Sequence, residues 1–287
     1  MHNVLQLTYD GIVLGSILAL GAIGVSMIFG ILRFAHFAHG DLMTVGAYLA
    51  YTFVRWLHWP IWLAALPAIV LAALIAVALD QIFYRRLRRV APVILLISSF
   101  ATALMLRALV QIIWGPDNHV YEQGISIPIR AFGLIITPDS LKVLIGAAIM
   151  VTVVHLFLAH TKMGKSMRAM SDNMDLALIS GVPVNRVIFW TWMFAGVLAA
   201  VAGILLGLNT RLIPTMGWDT LLPIFAAAIL GGVGRPYGAI LGGFIIGLAM
   251  NYSVLFLPSA YKLAVAFVIM IVVLIVRPQG ILKGLSL

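Results

Sequence analysis

Three side chains near the start of the chain are of types that move protons or hold metals: His36, His39 and Asp41, within six residues of one another between two apolar runs. A proton relay or a metal site is conceivable there, although two His and one Asp in a loop are a weak metal signal. Asp80 and Arg107 fall within or beside other apolar runs, where a bare charge costs several kcal/mol. Asp80 lies within reach of the RRLRR sequence at 85–89. Arg107 lies about two turns from the end of its run and could extend its guanidinium outward. Both read as structural charges. The chain has no cysteine, so disulfides, thiolate ligands and cysteine nucleophiles are excluded. The glycine-rich run GGVGRPYGAILGG at 231–243 invites a phosphate-loop reading. That loop needs Gly-Lys followed by Ser or Thr, whereas Gly234 is followed by Arg235 and Pro236. This chain therefore does not hydrolyse ATP itself. Gly15-Ser16 is not in the context of an intramembrane protease nucleophile, and His155 falls at the wrong end of its run.

The elements that must position these residues are membrane helices. Of 287 residues, 63% are hydrophobic and 9% charged, against roughly 25% charged in soluble domains. The fold class expected is all-α, a polytopic transmembrane bundle forming one domain over 1–287. Apolar runs near the ~20 residues needed to cross a bilayer fall at about 8–31, 40–57, 60–84, 92–114, 140–160, 187–208, 220–234, 236–257 and 260–277. The segments 40–57 and 220–234 are short and could be re-entrant, so eight or nine spans are expected. With the N-terminus outside, Arg33, the RRLRR arginines, Lys162, Lys165, Arg168, Arg186, Arg235, Arg277 and Lys283 fall inside, and Arg55, Arg130, Lys142, Arg211 and Lys262 outside. This agrees with the positive-inside rule and accounts for the net charge of +9 without nucleic acid. If 40–57 did not cross, the N-terminus would be cytoplasmic. Either way the C-terminus is expected in the cytoplasm.

Two loops stand out. Residues 116–139 read as an outer loop with short structured pieces, either a lid or docking surface or a plain connector. Residues 161–186 read as a cytoplasmic loop. Within it, Met163–Gly181 reads as one amphipathic helix with Met167, Met170, Met174, Ala177 and Leu178 on one side, ended by a Gly181 cap and by Pro183. Such a helix suits another protein's groove. Small-residue stripes (Gly11, Gly15, Ala19; Ala199, Gly203, Gly207; Ala239, Gly243, Gly247) allow close helix approach and suggest a compact bundle with a partner subunit.

Four stretches together resemble a known family: residues 10–51 with Phe-Ala-His-Gly at 37–40, residues 164–207, the glycine-rich hairpin at 226–247, and Tyr261 followed by VRPQGILKG at 276–284. They look like the permease subunits of ABC importers for branched-chain amino acids, closest to the LivH-like member. The resemblance implies a cytoplasmic coupling element using Met167, Arg168, Ala169, Asp172, Asn173, Ala177 and Gly181. It also implies a homologous LivM-like second permease, two cytoplasmic ATPases that use ATP and Mg, a periplasmic binding protein, and residence in the bacterial inner membrane among its lipids. No cofactor is expected on this chain. Two departures, His36 where the family usually has Asn and Pro223 in a segment that commonly carries Lys, point to cargo beyond leucine, isoleucine and valine: other amino acids, urea or short amides.

Polar groups near span breaks, namely His36, His39, Asp41, Asn209, Asp219 and Asn251, are candidate path residues. The interrupted segments 40–57 and 220–234 follow long spans in the two halves of the chain, as expected near a transport site. The alternatives are a gradient-driven transporter or channel, which would want paired intramembrane carboxylates, and an intramembrane enzyme, which lacks its nucleophile constellation.

Overall fold

The computed structural model describes residues 4–88, 90–121, 128–131, 133–282 and 284. Arg89, Lys283, and residues 122–127 and 132 of the 116–139 loop lie outside the described residues. The helices are α1 (Val4–Leu32), α2 (Ala38–Leu57), α3 (Ile61–Leu79), α4 (Pro92–Trp114), α5 (Pro138–His160), α6 (Lys162–Asp172), α7 (Met174–Ile179), α8 (Val184–Asn209), α9 (Met216–Gly231), α10 (Pro236–Tyr252) and α11 (Lys262–Val276). A hairpin of β1 (Ile129–Ala131) and β2 (Leu134–Ile136) lies in the 116–139 loop. Among the described residues, seven helical stretches are long and apolar enough to cross a membrane; α2 and α9 are not among them.

One end of the bundle carries Arg33, Arg85, Arg86 and Arg88, and the 281–282 tail folds back to it. There Ile281 N–H donates to the Leu230 carbonyl at 2.8 Å, and Leu282 N–H to Gly231 at 3.3 Å. These bonds satisfy carbonyls that the end of α9 leaves open. The hairpin marks the other end, where Gln6 at the start of α1 bonds Ile135. Trp56, Trp59 and Trp62 cluster at that end, a position suited to a bilayer interface.

The small-residue stripes find partners inside the chain. Gly11 and Gly15 on α1 face Gly243, Phe244, Gly247 and Leu248 on α10, so closely that a Cβ at Gly243 would stand 2.6 Å from the Ala19 backbone. Gly203 on α8 meets the Met43 backbone of α2. A further stripe, Ala64, Ala68, Ala72 and Ala76, is buried on α3, and its last two members meet Gly196 of α8. By contrast α11 buries only Ala266, and its apolar surface is left for lipid or another chain.

The 163–181 stretch is two helices, not one. Asn173 is extended and breaks the periodicity, and its side chain caps α7 by accepting from Leu176 N–H at 3.0 Å. An Asn that competes locally for backbone bonds favours such a cap over a helix interior. Gly181, at φ +79, closes α7 with Val182 N–H bonded to the Ala177 carbonyl and Gly181 N–H to that of Leu178, both at 3.0 Å. This is the paired C-terminal bond pattern that calls for a left-handed residue.

Two outcomes follow from these contacts. Gly243→Val should push α1 and α10 apart and destabilise the protein by about 1–3 kcal/mol, read as a lower melting temperature in detergent. Gly146→Ala, whose new methyl meets only the tip of Leu205 at 3.1 Å, should leave that temperature nearly unchanged. At Gly181 a side chain would meet no atom within 4 Å, so Gly181→Val tests backbone strain alone. It should cost about 1–2 kcal/mol and speed hydrogen exchange across α7, with Gly181→Asn milder.

Candidate functional site

The site is built where two helices begin inside the bundle. After α1 the chain turns back through residues 33–37, and His39 packs against Gly24, about 12 Å before the end of α1 at 1.5 Å per residue. Helix α2 thus starts partway along the bundle and rises to the hairpin end. After α8 the chain returns through residues 210–215. Helix α9 begins at Met216 and descends to the arginine-rich end. The two starts meet: a Cβ on Gly40 would lie 2.4 Å from the Gly217 carbonyl oxygen, and one on Gly217 would lie 1.8 Å from that of Gly40. Only glycine at both positions lets the backbones touch. Both passages cross the bundle, each as a non-helical piece plus a short helix. Irregular backbone is tolerated at membrane depth only where protein or a cavity surrounds it. Here Gly217 N–H donates to Thr44 Oγ1 at 3.1 Å and Phe37 N–H to Ser99 Oγ at 3.2 Å.

Asp41, in the first turn of α2, is fully buried. Arg107 of α4 grips it with two bonds, Nε to Oδ1 at 2.9 Å and Nη2 to Oδ2 at 3.1 Å. The expectation that Arg107 reaches outward is corrected: its guanidinium turns inward to Asp41 and lies 4.7 Å from the Trp218 ring centroid. A paired, stacked guanidinium avoids the cost of a lone buried charge. Asp219, next to Trp218, lies in the first turn of α9. Its side chain accepts from Thr215 Oγ1 at 3.2 Å.

His36 and His39 belong to a neighbouring buried group at the arginine-rich side of the same junction. His36 Nε2 is 3.2 Å from Tyr84 Oη, its ring stands edge-on to Trp192 at 4.8 Å, and Tyr84 stacks on Trp192 at 5.1 Å. Tyr84 and Asp80 bound a π-helical turn that continues α3, and Asp80 pairs with Arg88. The RRLRR cluster thus supplies the partner expected for Asp80. No group of three or more His, Cys, Asp or Glu is placed to hold a metal among the described residues. Asn209 is exposed at the end of α8. Asn251 sits elsewhere, at the hairpin end of α10, bonded to Gly247 and to Lys262 Nζ at 3.0 Å.

In the 161–186 loop, Met167, Met170 and Ala177 turn into the bundle. Leu178, expected on the same ridge, is exposed, as are Leu176 and Ile179, the last at 85%. Arg168, Ala169, Asp172, Asn173 and Gly181 are exposed. The end of α6 is tied to the α9–α10 turn and to the foot of α1. Ser171 Oγ donates to the Gly234 carbonyl at 3.3 Å, Asp172 pairs with Arg235 at 3.3 Å, and Arg33 Nη2 donates to the Ser171 carbonyl at 3.1 Å. On the opposite side, Tyr121 braces α2 by donating to the Ala47 carbonyl at 3.1 Å; burial holds its phenol well above the ordinary range and so keeps it a donor.

The residues that the sequence reading missed are Arg107 as a partner of Asp41, with Trp218, Tyr84 and Trp192. The available signal was the pairing of opposite signs, since Asp41, Asp80 and Arg107 are isolated in apolar runs and each needs a counter-charge. Arg107→Gln should leave Asp41 buried without its partner and cost about 3–5 kcal/mol. Adding Asp41→Asn should recover much of that loss, and a double-mutant cycle on thermal stability measures the coupling.

Comparison with known proteins agrees with this architecture. Residues 7–274 match the family model described as branched-chain amino acid transport system / permease component. The chain is 32% identical to the high-affinity branched-chain amino acid transport system permease protein LivH of Salmonella typhimurium, covering 97% of this chain and 95% of that one. It is 30% identical to the corresponding protein BraD of Pseudomonas aeruginosa, over 98% and 96%. The fold is similar to PsaBC from Streptococcus pneumoniae, solved in complex with Fab, with a TM-score of 0.53 at 14% identity over 97% of this chain and 93% of that one. The chain belongs to the branched-chain amino acid transport permease family.

Proposed function

We propose that the chain is the membrane-spanning subunit of an ABC importer for branched-chain or related amino acids. It works with a homologous second permease, two cytoplasmic ATPases that supply ATP hydrolysis, and a soluble binding protein that delivers cargo. The arginine-rich end is cytoplasmic under the positive-inside rule, and the hairpin end faces outward, in a bacterial inner membrane. The chain transports and does not catalyse.

One observation supports the coupling part of this reading above others. Helices α6 and α7 present Leu176, Leu178 and Ile179 outward, while the end of α6 is bonded to the α9–α10 turn and the foot of α1. Force on the exposed apolar face therefore has a bonded route to α9, one of the two broken helices. A shift there can favour one of two packed arrangements of the bundle over the other. A gradient-driven mechanism is disfavoured by the same geometry. The buried carboxylates among the described residues, Asp41 and Asp80, are each held by an arginine, so neither is free to load and release a proton or Na+.

The exposed apolar face gives the test. Ala177 is buried and makes a poor probe, whereas Ile179 is open. Ile179→Asp should cut recovery of the ATPases with the purified permease, and ATP-driven leucine uptake, by tenfold or more at an unchanged level of membrane protein. Undiminished recovery of the ATPases would sink the coupling assignment.

A further inference from the structure

A cavity of ≈ 580 Å³ opens at the hairpin end beside the start of α9. That size is in the range of small-ligand sites. Its lining carries both charges. Asp219 and Arg211 both line it, with Asn118 and the apolar residues Leu206, Ile213 and Met216. Arg211 has no side-chain hydrogen bond or ion pair among the described residues, so its guanidinium is free to bind an anion. Asp219 is exposed and has no ion-pair partner among the described residues, so its carboxylate can take up a cation. Pro223 lies inside α9. Its missing N–H leaves the Asp219 carbonyl without its usual helical donor, while the Asp219 carboxylate, which accepts from Thr215 Oγ1, keeps further lone pairs to offer. Between Met216 and Asp219 of the lining, Gly217 meets the Gly40 backbone and the Trp218 ring lies against the Arg107 guanidinium.

We infer that this cavity is the entry site for a zwitterionic α-amino acid with an aliphatic side chain. The ammonium goes to Asp219, the carboxylate to Arg211, and the side chain onto Leu206, Ile213 and Met216. The inference rests on the importer reading above and adds to it the chemistry by which this chain, and not only the binding protein, holds the cargo. A lone cation or anion would satisfy one wall and leave the other charge uncompensated. A neutral amide would leave both unpaired and forgo charge-assisted bonds. Asp219 follows Trp218, whose ring lies against Arg107, so the cavity adjoins the junction of α2 and α9.

The test is ATP-driven uptake of L-leucine by the complete importer in proteoliposomes, with binding protein at saturation. Asp219→Asn and Arg211→Gln should each lower the maximal rate tenfold or more. Asp219→Glu and Arg211→Lys, which keep the charges, should retain at least about a third of it, by the ordinary strength of a single relocated charged bond. Rates within twofold of wild type for both neutral variants would overturn the inference. Equal losses in the charge-keeping variants would too, and so would a loss that more binding protein restores, since that would place the residues in docking. A wild-type importer that moves no α-amino acid would instead overturn the function proposed above.

Discussion

Two helices that begin inside a membrane must have their first N–H groups and their charges satisfied without bulk water. In this protein that constraint is met at one place, the crossing of α2 and α9. Glycine at positions 40 and 217 lets the two backbones touch. Thr44 and Ser99 supply oxygens to the open N–H groups. Arg107 neutralises Asp41, and Trp218 covers the guanidinium. Removing Thr44, Ser99 or Arg107 leaves a polar group stranded at a depth where no solvent can replace its partner, and a side chain at either glycine would force the backbones apart. The long helices serve this junction. The α1–α10 pair, zipped through facing glycines, and the α3–α8 pair, zipped through alanines and Gly196, form a rigid frame around it.

The frame also explains the order of the chain. A long helix, a break, and a short helix occur twice, as α1–α2 and as α8–α9, and the two pairs run in opposite directions. Each break turns the chain back into the bundle, so the two starts meet in the interior. The junction is held by the Gly40–Gly217 backbone contact, the bonds to Thr44 and Ser99, and the Asp41–Arg107 pair. The α6–α7 element reaches one partner of the junction directly, through Gly234 and Arg235 at the foot of α9. The cavity beside Asp219 reaches the same helix at its other end. The cavity and the exposed α6–α7 element therefore lie at opposite ends of α9, a helix of 16 residues.

Much of this was readable from residue types. The apolar runs placed the membrane helices, because ~20 apolar residues in a row have few other stable uses. The short runs at 40–57 and 220–234 marked the two broken helices. Gly181 marked a helix end, and its φ of +79 is the conformation glycine is there to permit. Other features could not be read. The ridge on 163–181 was drawn as one face of one helix, but Asn173 stops α6 and restarts the periodicity, so Ala177 and Leu178 part company. The glycine stripes announced close approach without naming a neighbour, and they proved to meet each other within the chain.

The sequence by itself determined the membrane-helix content, the places where helices break, and the residues too polar to be left alone in lipid. These are local properties, set by composition and by a 3.6-residue period within one segment. Only the tertiary structure decided which of those residues meet. Asp41 and Arg107 are 66 positions apart, and Thr44 and Gly217 are 173 apart. Nothing in either segment's own periodicity selects the other. Partnership is settled when packed helices bring two unsatisfied groups to the same depth, and the cost of leaving either one unpaired in an apolar interior then holds them together.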